Sequence, residues 1–185
     1  VALQAFLEVN EPKLVAQDLQ LFQGIVADLL PGVNRPAETR AGLEHAITDA
    51  SKELNLQCTT DHMTKTVQLW NTLLSRRGLM TVGLPPSGKS SMIGTLYKAM
   101  ESLSASKELD GNGNLKWMPV VKYMLNPKSV QHSQLYGSFD ENTREWTDGL
   151  LSDTIRKTIG SDSAGKRHWI ILDGPVDCLT WAIIN

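Results

Sequence analysis

The chain has 185 residues, 21% of them charged, and a formal net charge of −2. That length permits one ordinary domain plus some extra with a real core, and the near-neutral balance carries no nucleic-acid footprint, so no nucleic-acid partner is expected. Cys58 and Cys178 fit neither a metal spacing nor a disulfide framework, which suits a reducing compartment, and with no run of membrane-spanning or secretory type no membrane association is expected.

Residues 1–77 read as helical throughout. Pro12 suits a first helical turn, and Leu14, Val15, Leu19, Phe22, Ile25, Val26, Leu29 and Leu30 follow at helical spacing until Pro31-Gly32 stops them. A second helix is predicted from about residue 37 to 54 and a third from about 61 to 77, the latter ending in Arg76 and Arg77 with Gly78 as C-cap. From Gly78 the pattern changes to strand–helix alternation. Gly78 to Val82 has the length of a short apolar strand, and Ser91 to Leu103 places Met92, Ile93, Leu96, Ala99, Met100 and Leu103 on one helix face. After a polar stretch and the turn at Asp110-Gly111-Asn112-Gly113, Trp117 to Leu125 reads as the next strand. A hairpin over 137–149, a short helix over 149–159 and the strand His168 to Leu172, ending at Asp173, complete the order. The chain starts at Val1 and stops just after Trp181 to Ile184, and it reads as an excerpt of a longer protein.

Between the first strand and its helix lies Gly83-Leu84-Pro85-Pro86-Ser87-Gly88-Lys89-Ser90, the phosphate-binding template of a glycine, four free positions and Gly-Lys-Ser/Thr. Such a loop turns backbone N–H groups toward a polyphosphate at a helix N-terminus. Gly83, Ser87, Gly88, Lys89, Ser90 and Ser91 are therefore the candidate nucleotide-binding residues. Lys89 is expected on the β- and γ-phosphates, N–H groups from Ser87 to Ser91 on phosphate oxygens, and the Ser90 hydroxyl on Mg²⁺. Pro86, lacking an N–H, leaves the cradle one donor short.

Asp173, at the end of an apolar strand, is the candidate second Mg²⁺ residue beside Ser90. Many ATPases of this architecture place a glutamate next, to polarise the attacking water. Here Gly174-Pro175-Val176 follows, and the next acid is Asp177, past a proline turn. A general base has to reach the water directly or through one intermediary. The residues offer a metal site without an evident base, which favours ATP or ADP binding over turnover.

Asn126-Pro127-Lys128-Ser129, Leu135-Tyr136-Gly137, Phe139-Asp140, Glu145-Trp146-Thr147-Asp148-Gly149 and Leu172-Asp173-Gly174-Pro175-Val176-Asp177 together resemble dynein heavy chains. More narrowly, they are similar to the second AAA+ module of the motor ring, with the Asp-Gly-Pro form leaning toward axonemal chains. Asn10-Glu11-Pro12-Lys13 and Asp28-Leu29-Leu30-Pro31-Gly32-Val33 carry the resemblance upstream, so that it covers nearly the whole chain. It implies an α/β fold: a three-layer P-loop AAA+ core with a parallel sheet over 78–185, truncated before its lid, preceded by the helical segment 1–77. It also implies that Pro31 and Val33 line an adenine pocket and that an arginine finger comes from a neighbouring module. The implied role is Mg-ATP binding, structural or regulatory, with little or no hydrolysis. Implied partners are the neighbouring modules, other dynein chains and, through the full motor, microtubules in the cytoplasm or a ciliary axoneme. Two rivals stay open: an active ATPase using Asp177 or a residue outside the chain, and a degenerate ring segment that binds no nucleotide.

The remaining features have plainer readings. Trp70, Trp117, Trp146, Trp169 and Trp181 are expected in core or interface positions. His45, His62, His132 and His168 show no ligand spacing and are expected at the surface or strand edges.

Overall fold

The computed structural model describes residues 6–7, 10, 14–30, 38–109, 113, 115–160 and 165–174. The chain forms two compact units, Val1–Leu103 and Ser104–Asn185.

In the first unit, α1 spans Ala16–Leu29. It starts later than Pro12 predicts, with Leu14 and Val15 ahead of it and Val15 as an extended N-cap whose side chain offers no cap. Asp18 in its first turn suits the positive end of the helix dipole. Pro31-Gly32, the predicted stop, lies outside the described residues; the Leu30 N–H closes the helix on the Val26 carbonyl at 3.0 Å.

Helix α2, Glu38–Glu53, buries Leu43, Ala46, Ile47 and Ala50, positions one face of a 3.6-residue period brings together. It packs on α3, Thr60–Ser75, which buries Thr66, Leu69 and Trp70. The Thr59 hydroxyl caps α3 by accepting the His62 N–H at 3.2 Å. The predicted Gly78 C-cap is not used. Arg76 is the C-cap, in extended conformation (φ −130°, ψ 142°), and its N–H reaches the Thr72 carbonyl at 2.8 Å. The chain leaves the helix straight, so no left-handed glycine is needed there.

The predicted strand over 78–82 is not formed. The segment has no ladder partner among the described residues, and Val82 is 84% exposed. An apolar run of strand length becomes a strand only when a neighbour completes its backbone hydrogen bonds. The predicted loop helix is present as α4, Lys89–Ala105, with Leu96, Ala99 and Met100 buried on the expected face and Thr95 buried among them.

In the second unit, Leu109 and Leu115 form a lone antiparallel bridge around the predicted turn. Trp117 is buried, with its indole N–H 3.3 Å from the Glu108 carboxylate. Strand β1, Val120–Leu125, begins after Pro119, whose missing N–H suits a position ahead of a ladder. Helix α5 (His132–Tyr136) leads into the antiparallel pair β2 (Gly137–Phe139) and β3 (Trp146–Asp148), the predicted hairpin. Helix α6, Leu150–Ile159, has Gly149 as its N-cap. Strand β4, Arg167–Leu172, pairs with β1 in parallel, from Val120 opposite Arg167 to Leu125 opposite Leu172. A parallel pair requires a long crossover, here carrying the hairpin and α6. Trp169 is buried on β4, as Trp70 and Trp117 are elsewhere, while Trp146 is 47% exposed and Trp181 lies outside the described residues.

Candidate nucleotide-binding loop and strand-end carboxylate

The loop Gly83–Ser90 belongs to the first unit and runs directly into the N-terminus of α4. Gly88, at φ +78°, makes the entry turn, and its carbonyl accepts the first helical bond, from Met92 at 2.9 Å. A side chain at Gly83 would meet the Ser87 hydroxyl at 2.8 Å, so glycine is what lets Ser87 fold over the loop's start. The Ser87 N–H is spent inside the loop, on the Leu84 carbonyl at 2.9 Å. The N–H groups of Gly88, Lys89, Ser90 and Ser91 make no hydrogen bond with described residues. They are the unpaired first-turn donors of a helix, and they favour an anion.

Lys89 is half-buried and turned back on the loop. Its Nζ donates to the Gly83 carbonyl at 2.7 Å, the Leu84 carbonyl at 3.2 Å and the Ser87 hydroxyl at 3.1 Å. The loop therefore gathers Gly83, Leu84 and Ser87 around the Lys89 ammonium group, and Ser90, on the first turn of α4, is exposed. Four N–H groups unpaired among the described residues, a cation and a hydroxyl suit a polyphosphate carrying Mg²⁺.

Asp173 belongs to the second unit. Its N–H continues the β1–β4 ladder to the Leu125 carbonyl at 2.9 Å, and its side chain is exposed where the two parallel strands end. In open α/β sheets that end is where ligands bind. Gly174 comes next and is packed against the start of the neighbouring loop. A Cβ there would lie 3.2 Å from Asn126 Oδ1 and 3.4 Å from Pro127 Cδ. Asn126 is itself held: its Oδ1 accepts the Lys128 N–H at 3.0 Å and its carbonyl accepts the Ser129 hydroxyl at 2.8 Å. Asn126 thus flanks the position after the carboxylate, a site neighbour that the sequence alone does not reveal. A parallel register is the signal that locates it, and one sequence does not display a register.

Pro31, Val33 and Asp177 lie outside the described residues. Among the described residues no group of three or more His, Cys, Asp or Glu side chains could hold a metal ion. A hydroxyl oxygen like that of Ser90 and a carboxylate oxygen like that of Asp173 are each of the hard kind that Mg²⁺ takes. No described helix is long and apolar enough to cross a membrane. His62 departs from its expected surface role, since its Nε2 lies 3.2 Å from the hydroxyl of the buried Thr95. His168 stacks on Tyr123 at 5.9 Å between ring centroids, with both ring nitrogens buried and without a hydrogen-bond partner among the described residues.

Residues 1–90, ending on the loop's Ser90, match the family described as the hydrolytic ATP binding site of the dynein motor region. Across 180 residues, 97% of the chain, it is 41% identical to human dynein axonemal heavy chain 1. It is 38% identical over 177 residues, 96% of the chain, to human dynein axonemal heavy chain 3. It is also 35% identical over 176 residues, 95% of the chain, to the dynein-1-beta heavy chain of the flagellar inner arm I1 complex of Chlamydomonas reinhardtii. The chain is homologous to dynein heavy chains. It spans 4% of the length of each of these relatives. Its first 90 residues match the ATP-binding region of the dynein motor, and its helices and parallel strand pair are consistent with an AAA+ module.

Proposed function

We propose that this dynein segment is a Mg-ATP-binding AAA+ module, the second of the motor ring, that holds nucleotide with little or no hydrolysis. In this reading residues 1–77 are a helical approach and 78–185 the P-loop core. Gly83, Ser87, Gly88, Lys89, Ser90 and Ser91 take the phosphates, Ser90 and Asp173 hold Mg²⁺, and Pro31 and Val33 line the base pocket. Bound Mg²⁺ would neutralise phosphate charge, while the chain's own residues bind and orient. The observation that carries the absence of turnover is Gly174, a residue with no side chain, set against Asn126 where a base would stand. A carboxamide orients water but cannot take its proton.

Neighbouring modules of the same heavy chain, other dynein chains and microtubules are the partners of this proposal, in the cytoskeleton of a cilium or flagellum. The names of the axonemal and flagellar relatives support that location.

The description of the matched family as hydrolytic favours a second reading, an active ATPase. That match stops at residue 90, short of Asp173 and Gly174. Single-turnover hydrolysis in the assembled ring, with other ATP sites disabled, separates the two. Clear turnover, lost on Asp177→Ala, would sink the binding-only reading. The engaged Ser87 N–H and the missing donor at Pro86 favour a third, non-binding reading. Calorimetry with millimolar Mg-ATP on a protein that includes the lid decides it, because absence of heat removes the nucleotide.

A further inference from the structure

We infer that His62 is a positioning residue for the nucleotide loop, acting through Thr95 of the loop's own helix; the inference rests on the nucleotide-binding reading above. Thr95 sits on α4, six residues past Lys89 and so about 9 Å along the axis. It is fully buried, and its hydroxyl lies 3.2 Å from His62 Nε2 on α3.

Hydroxyls inside helices commonly fold back on the carbonyl four residues earlier. Those of Thr48, Ser51, Thr66 and Thr72 do so here, at 2.9, 2.8, 2.7 and 2.8 Å. Thr95 instead meets a neighbouring helix. His62 is well placed to receive it, because its own position is fixed twice. Its N–H rests on the Thr59 cap, and its carbonyl accepts the Thr66 hydroxyl.

A second link, Lys98 to Glu53 of α2 at 3.3 Å, lies in solvent, and Lys98 also reaches Glu101 at 3.0 Å. Exposed pairs of that kind contribute little. The part-buried bond between the Thr95 hydroxyl and the His62 imidazole has direction, and breaking it strands the buried hydroxyl away from water. It therefore ties α4 to α3 at one defined point along its length. The free N–H groups of Gly88 to Ser91 ride on the first turn of that helix, so the bond sets where they point. Small displacements of such donors weaken an anion site.

The test is hydrogen–deuterium exchange of the peptide covering 83–92 in the full-length protein, titrated with Mg-ATP. The readout is local, so other nucleotide sites do not enter it. Thr95→Val and His62→Leu should each raise the ATP concentration for half-protection about tenfold, whereas Thr95→Ser and His62→Gln, which retain a hydrogen-bonding atom, should stay within about threefold of wild type. Removing the bond from its buried side and from its half-buried side guards against one variant failing to fold. Wild-type half-protection in Thr95→Val or His62→Leu, even with a lowered Tm, overturns the positioning role. A wild-type loop that ATP never protects overturns the nucleotide-binding reading itself, a distinct result.

Discussion

Lys89 Nζ lies 2.7 Å from the carbonyl oxygen of Gly83, the first residue of its own loop, so the cation closes the loop that surrounds it. Phosphate oxygens would have to compete with two carbonyls and the Ser87 hydroxyl for its protons. A phosphate oxygen carries a negative charge that a carbonyl lacks, so in the nucleotide-binding reading a triphosphate should draw the ammonium away from the loop. Lys89→Met should weaken Mg-ATP binding at this loop by roughly ten- to a hundredfold, the scale of one hydrogen bond to a charged group. Calorimetry or exchange of the loop peptide measures it; unchanged affinity would remove Lys89 from the site.

The first turn of α3 depends on Thr59, whose hydroxyl satisfies the His62 N–H. Thr59→Ala should destabilise the chain by about 1 kcal/mol in urea unfolding, and Thr59→Ser should restore most of it. Because His62 follows the cap by three residues, the alanine variant should also weaken the contact with Thr95.

How legible the sequence was depends on the kind of signal. Residues 83–90 are readable because the chemistry fixes the spacing, and Leu96, Ala99 and Met100 because a buried helix face repeats. Thr95 carries no such signal, because a hydroxyl inside an apolar stripe looks like the start of the polar side; only the position of His62 reveals its use. The run 78–82 points to a strand that does not form, for a related reason. Apolar residues of strand length state a wish for burial, while a strand needs a specific partner. The meeting of Asn126 with Gly174 follows from the β1–β4 register, and parallel pairing between segments so distant in the chain leaves no local pattern.

Gly137 and Gly165 both have positive φ, at +114° and +78°, yet they should respond very differently to alanine. At Gly165 a new Cβ would meet no described residue, and the cost is that of the left-handed backbone, about 1–2 kcal/mol. At Gly137 the new Cβ would meet the Thr147 carbonyl at 2.5 Å and the Trp146 ring as well. Gly137→Ala should therefore open the β2–β3 hairpin, visible as a shift of Trp146 fluorescence, while Gly165→Ala should leave that signal alone.

The hairpin turn should weaken in acid. Backbone N–H groups of Thr143, chiefly, and of Asn142 donate to the Asp140 carboxylate and hold its pKa below the ordinary 3.8. A depressed folded-state pKa gives stabilisation that is fully present above 3.8 and is lost as pH falls through the lower folded value. Exchange of the 140–144 amides, corrected for intrinsic rates, should lose protection in that window, and Asp140→Asn should flatten the dependence.

Gly174→Glu tests the missing base directly. The substitution sets a carboxylate beside Asp173, in the position that many related ATPases use to polarise water. The backbone permits it at modest cost: Asn126 Oδ1, 3.2 Å from the new Cβ, must yield by a few tenths of an ångström, and its bond to the Lys128 N–H is what resists. If the base is what this module lacks, single-turnover hydrolysis at this site should rise by a factor of about 100 or more. ATP binding should stay within a few-fold, because the phosphate donors all lie on the loop and α4. A variant that binds ATP as the wild type does and still fails to turn it over would place the defect elsewhere, in the geometry of the loop that Lys89 closes.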